Sequence, residues 1–225
     1  MSDLWRNLVP LVLGSAIVPA PLLVTILLLR SSALTAGAWL AGMTVVRLVQ
    51  GAVFGLVFSS SSTSATETAA GRDALVAAVL LVLSVALFVT AARALLGEND
   101  PDEPPPRWMA TIDSVGTGRA FVLGAALVAI SGKLWVFTLG AIAAIEEADV
   151  GPHRAVTSYL AFVVLVIAPQ LVALALALVA PGRAKRGLER IAGWLRHNNR
   201  MLVVAISLVF GTWFLVKALQ GFGVL

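Results

Sequence analysis

The sequence predicts an all-α integral membrane protein: six transmembrane helices forming two inverted three-helix repeats, with helices 1 and 4 broken. Three observations predict it. The 225 residues are 59% hydrophobic and 12% charged, whereas soluble domains run near roughly 45–50% apolar and about 25% charged. Six segments reach the length of about 20 mostly apolar residues that crosses a bilayer core. One segment in each half carries an interruption near its middle. Mean hydropathy is +0.95, and there is no cysteine, so neither a disulfide framework nor a thiolate metal site is available. His153 and His197 are too far apart in sequence to suggest a histidine metal cluster.

The first repeat, 1–96, holds spans at 8–29, 33–58 and 74–96. The second, 120–225, holds spans at 120–145, 155–180 and 201–219. A secretory signal is the competing reading of the first span. Its apolar stretch exceeds the usual h-region of about 7–15 residues, and Arg6 is balanced by Asp3. Pro19 and Pro21 also suit a bent helix better than a cleavage site. Between the repeats, residues 97–119 begin "GENDPDEPPPRW" and read as a cytoplasmic linker, acidic and then proline-rich. The low-complexity "SSSSTSAT", 59–66, reads as an external loop. In "RAKRGLERIAGWLRHNNR", Leu188, Ile191 and Leu195 fall at helical spacing opposite Arg and Lys. That pattern predicts an amphipathic helix over 183–198 lying on the cytoplasmic leaflet, with Trp194 near its edge; a solvated charged loop is the alternative.

The net charge of +4 and pI near 10.3 would suggest nucleic acid in a soluble protein. Here the distribution of charge explains them. Ten Lys and Arg fall on the face shared by the 1–2, 3–4 and 5–6 connections, against four on the opposite face. The positive-inside rule makes the ten-charge face cytoplasmic and puts both termini outside. Nucleic acid is therefore not an expected partner.

The two remaining cations, Arg47 and Lys133, lie inside spans 2 and 4. Insertion scales charge each about 2.5–3.5 kcal/mol at a helix centre, and no Asp or Glu lies within any span to answer them. Their complement must be water, backbone carbonyls or an anionic ligand. Intramembrane charges mark functional sites by default. The interruptions lie nearby in sequence: "SAIVPAP" carries Pro19 and Pro21 in span 1, and "SGK" carries Ser131, Gly132 and Lys133 in span 4. Interrupted helices at matching positions of two halves point to a transport site. In span 2, Gly37, Ala41, Thr44, Arg47, Gly51 and Gly55 form one small, polar face, bordered by Gln50. Gly51 and Gly55 predict a close helix approach. In span 5, Pro169 and Gln170 add a further break. Helix packing competes with ligand contact as the role of these glycines and glutamines. The candidate substrate-binding set is Arg47, Lys133, Ser131, Gly132, Pro19, Pro21, Thr44, Gln50 and Gln170, with no catalytic residue, metal ligand or cofactor.

Several motifs in this order resemble the GAP family, the glycolipid- and sulfolipid-addressing proteins of actinobacteria (SfLAP-like), within the LysE transporter superfamily. They are "VPAP" in span 1, "PPPRW" before span 4, "GRAFVLGAAL" entering it, "SGK" where the family often has Asn-Pro-Lys, and "WLRHNNR" before the last span. The resemblance covers most of the chain and is strongest from Pro104 onward. Ser131–Gly132 in place of Asn-Pro keeps the break but lacks the asparagine side chain. The resemblance implies a multi-pass plasma-membrane protein that moves a polar lipid or glycolipid toward the cell envelope.

The leading expectation is a transporter or flippase for a lipid with an anionic head group. Arg47, permanently charged, would hold phosphate or sulfate, and Lys133 would make the second contact. "SGKL" lacks the earlier glycine and the following Ser/Thr of a phosphate-binding loop, which argues against ATP as direct driver. Export of a small polar solute such as an amino acid is the alternative, disfavoured because no intramembrane carboxylate would meet an ammonium. A non-transporting scaffold for envelope-lipid synthesis is another. A membrane enzyme is disfavoured, since the spans carry neither a carboxylate pair nor a histidine. The lipid is the expected partner; a homodimer and envelope-lipid synthesis or export proteins are compatible with the sequence.

Overall fold

The computed structural model describes residues 2–61, 69–96 and 115–224. Most of the serine-rich stretch and linker residues 97–114 fall outside them. Nine helices make up the described fold: α1 (Ser2–Ile17), α2 (Pro19–Ser31), α3 (Ala33–Ser61), α4 (Ala69–Leu95), α5 (Thr117–Ile130), α6 (Gly132–Glu147), α7 (Pro152–Val179), α8 (Pro181–His197) and α9 (Asn199–Gly221). Among them α3, α4, α7 and α9 are each long and apolar enough to cross a membrane. The bent pairs α1–α2 and α5–α6 make six if each pair is one span. The chain is thus an all-α membrane protein with helices 1 and 4 broken, as its sequence predicts.

The two breaks have different causes. α1 and α2 meet at 49° around Val18, whose φ of −54° and ψ of 119° are the extended geometry forced on a residue preceding proline. Pro19 then opens α2, where its missing N–H costs nothing. α5 and α6 meet at 69° around Ser131, at φ −74° and ψ 102°, without a proline. Here hydrogen bonds brace the bend. The Trp135 indole N–H donates to the Ala129 carbonyl at 2.8 Å, satisfying one of the acceptors that a helix end leaves over. The Leu134 and Trp135 amides donate to the Ser131 carbonyl at 3.0 and 3.2 Å.

Between membrane helices there is little hydrophobic driving force, so association depends on close van der Waals contact and buried polar bonds. α3 and α5 meet backbone to backbone at two glycines. A Cβ on Gly42 would overlap the Phe121 carbonyl, and one on Gly124 would overlap the Trp39 carbonyl. Of the pair expected to allow a close helix approach, Gly51 is closely met and Gly55 is not. Gly51 faces the Tyr159 ring, and a Cβ on Gly55 would meet nothing within 4 Å. α4 and α9 form the other tight pair, where the Ser84 hydroxyl donates to the Gly211 carbonyl at 2.9 Å and the Phe88 ring lies over Gly211. A core built from α1, α4, α6, α7 and α9, including Leu8, Phe137, Phe162 and Phe214, fills the centre.

The amphipathic segment is helical, but its apolar stripe is rotated from the expected one. Leu188, Ala192 and Leu195 are buried against Leu23 and Ile26 of α2 and Ala173 of α7. Ile191 and Trp194 are 46% and 56% exposed. Successive residues turn by 100°, so 188, 192 and 195 form one stripe, while 191 and 194 form a neighbouring one that faces out. An exposed ion pair, Arg30 to Glu189 at 3.5 Å, joins α8 to the end of α2.

Candidate functional site

Arg47 projects from the middle of α3 into the core and is only 3% exposed. Its guanidinium donates to the Thr138 hydroxyl of α6 at 3.2 Å and to the Ser15 hydroxyl of α1 at 3.4 Å. From α7, the Tyr159 hydroxyl donates to the Arg47 carbonyl at 2.6 Å. Ser15 lies three residues ahead of the first break, and Thr138 seven residues beyond Ser131 at the second. One side chain thus ties together both broken spans.

The energetics leave the charge unanswered. A hydrogen bond to a charged group contributes about 1.5–3 kcal/mol, the same order as the insertion cost of about 2.5–3.5 kcal/mol for a midspan arginine. The Ser15 contact is long, hence weak. Hydroxyls solvate the guanidinium but supply no negative charge, and among the described residues no carboxylate pairs with Arg47. Its Nε and both amide atoms of Gln50, one turn further along α3, are buried without a hydrogen-bond partner. Such groups cost about 1–3 kcal/mol each, so this part of α3 is under-satisfied in donors and acceptors alike.

The other sequence-predicted residues fall at different distances from this centre. Ser131 is the residue of the second break, Gly132 the first of α6 and Lys133 the second. Lys133 is half-buried and has no hydrogen-bond or ion-pair partner among the described residues. It precedes Thr138 by five residues, a rise of about 7.5 Å. Pro19 and Pro21 are buried at the start of α2. Pro21 contributes its carbonyl to the buried Thr25 hydroxyl at 2.8 Å. Thr44 spends its hydroxyl on the Leu40 carbonyl at 2.8 Å, within its own helix. Gln170 is buried, but in the amide orientation that satisfies both ends its nitrogen donates to the Val166 and Ile167 carbonyls. It stands three turns beyond Tyr159 on α7, about 16 Å.

Sequence reasoning missed Ser15, Thr138 and Tyr159. Each had a signal. Ser15 and Thr138 are hydroxyls inside long apolar runs, and Tyr159 is the one tyrosine of the chain. None could be assigned to Arg47 without the bend angles that bring four helices together.

The family model described as Sap, sulfolipid-1-addressing protein, matches residues 8–220. No curated protein and no solved structure matches the chain. The chain belongs to the sulfolipid-1-addressing protein family, a family named for handling a lipid rather than for a reaction.

Proposed function

We propose that this member of the sulfolipid-1-addressing family is a plasma-membrane transporter or flippase that moves an anionic lipid or glycolipid toward the cell envelope. The observation that carries this reading is Arg47: a buried guanidinium, met only by neutral hydroxyls, at the point where two broken spans converge. A sulfate or phosphate ester has the charge and the acceptor oxygens that this cluster lacks, and a guanidinium recognises such groups through two parallel N–H bonds. Lys133, unpaired and half-buried at the start of α6, is the second contact. It engages the head group before or after Arg47 along the translocation path, and the unpartnered Gln50 amide offers both a donor and an acceptor to a sugar hydroxyl.

The pattern of helix contacts supports two related halves. α2 packs on α7 as α6 packs on α3, and α2 packs on α3 as α6 packs on α7. Such pairings arise when each half supplies a broken helix followed by a long one in opposite orientations, the arrangement of alternating-access transporters with a central site. The family name supports the lipid over the amino acid, as does the lack of an intramembrane carboxylate.

The test is lipid retention by the purified protein, read by native mass spectrometry for the wild type, Arg47→Gln and Lys133→Gln, with a thermal melt for each. The wild type is expected to keep an anionic lipid, Arg47→Gln to lose it at least tenfold, and Lys133→Gln to lose it in part. Equal retention by all three folded proteins overturns the reading and brings forward small-solute export or a scaffold role.

A further inference from the structure

Away from Arg47, a groove of 630 Å³ runs between α3, the C-terminal end of α6 and the start of α7. That volume lies within the range of about 300–1,000 Å³ for small-molecule sites. Two glycines shape it. At Gly51 the Tyr159 ring lies directly on the α3 backbone and forms the floor, and at Gly55 the missing side chain leaves open space. The walls are hydrocarbon, with Ala52 and Leu56 on α3, Ile142 and Ile145 on α6 and Leu160 on α7. From Leu48 to Leu56 the groove extends about 12 Å along α3, close to the depth of one leaflet of a hydrocarbon core about 30 Å thick.

Its polarity is one-ended. Glu146 and Asp149 line the mouth, at the α6–α7 turn, where Asp149 and Gly151 take positive φ to reverse the chain. The opposite end of the lining is Leu48, next in sequence to Arg47. The flanks of the groove, Leu56, Val156 and Leu160, are 69%, 60% and 45% exposed on helices apolar enough to cross a membrane. A trough with such flanks opens sideways into hydrocarbon, which leaves water no favourable way to fill it.

We infer that this groove seats one acyl chain of a membrane lipid, with the head group at the α6–α7 turn and the chain end pointing toward the level of Arg47. A polar mouth, an apolar trough and a depth of one leaflet match the orientation that a lipid already has in the bilayer. The inference rests on the lipid-handling reading above and adds a docking place for a lipid whose head group stays at the α6–α7 turn, distinct from the head-group contacts at Arg47.

The test uses protein in nanodiscs containing a phosphatidylcholine, whose net-neutral head group suits a mouth lined by Glu146 and Asp149, with a mid-chain diazirine, photolysed and mapped by peptide mass spectrometry. Labels are expected to concentrate on residues 51–56 and 155–160, over the similarly exposed Val82 and Val85 of α4. Gly55→Leu projects into the groove from a position where a Cβ meets nothing within 4 Å and is expected to cut that labelling at least fivefold, leaving Val82 and Val85 unchanged. Gly37→Leu, which adds the same side chain at another open position of α3, is expected to have no effect. Uniform labelling of all lipid-facing helices, or undiminished labelling in a folded Gly55→Leu, overturns the inference. Arg47→Gln is expected to keep the groove label, so failure of the groove and failure of the head-group reading are read separately.

Discussion

Arg47 shows how a membrane protein keeps a full charge inside without an opposite one. The fork of its guanidinium reaches α1 and α6 at once, while its carbonyl accepts from Tyr159. The tyrosine bond is a neutral one, and in its absence the Gly51 amide, four residues on, is placed to serve the same carbonyl. Tyr159→Phe is therefore expected to cost about 0.5–1.5 kcal/mol, a fall of a few degrees in melting temperature, with anionic-lipid retention preserved. Retention falling as far as in Arg47→Gln would move Tyr159 from support to substrate contact. At this scale the charges were legible in the sequence, because a cation in an apolar run stands out and the lack of carboxylates leaves it without an ordinary partner. Ser15 and Thr138 were not legible. A hydroxyl in a membrane helix usually bonds its own backbone one turn back, as Thr44, Thr25 and Thr90 do, and only the packing of helices distant in sequence shows which one also serves a neighbour.

Among the elements, α3 and α5 meet backbone to backbone at Gly42 and Gly124. Gly124→Ala places a methyl group on the Trp39 carbonyl, which cannot rotate away as a side chain end can. The helices must separate, and overpacking of this kind costs about 1–3 kcal/mol. A lowered melting temperature is expected for Gly124→Ala, while Gly118→Ala, at an open position of the same helix, melts like the wild type. Equal melts would mean that the α3–α5 seam yields freely. The sequence did not mark this seam, because Gly42 and Gly124 lie on different helices and spacing within one helix does not say which small residue faces a partner. It placed the breaks correctly at Pro19, where proline dictates the backbone, and at Ser131–Gly132, where the Trp135 indole braces the bend. For α8 it predicted the helix but not its rotation. Leu188, Ile191 and Leu195 are equally apolar, and only the presence of Leu23, Ile26 and Ala173 decides which ones turn inward.

For the molecule as a whole, composition alone was enough for fold class, since nothing else explains 59% hydrophobic residues with 12% charged. Orientation follows a different cue, the ten-to-four distribution of Lys and Arg, and the chain is well suited to testing it because it has no cysteine. His153 and His197 are exposed at opposite ends of the α7–α8 unit. In intact cells, His153→Cys is expected to react with a membrane-impermeant maleimide and His197→Cys only after permeabilisation; the reverse pattern would invert the topology. The two bends also give the halves unequal mechanics. Pro19 and Pro21 deny amides to the carbonyls of Ser15 and Ile17, so no rotation can restore a straight helix there, and the first bend is a fixed elbow. The second contains no proline. Turning the ψ of Ser131 down from 102° and releasing the Trp135 indole would rejoin α5 and α6 into one rod. On the transporter reading proposed above, a stroke that carries Lys133 past Arg47 would belong to the second bend, swinging against a first bend that serves as its anvil.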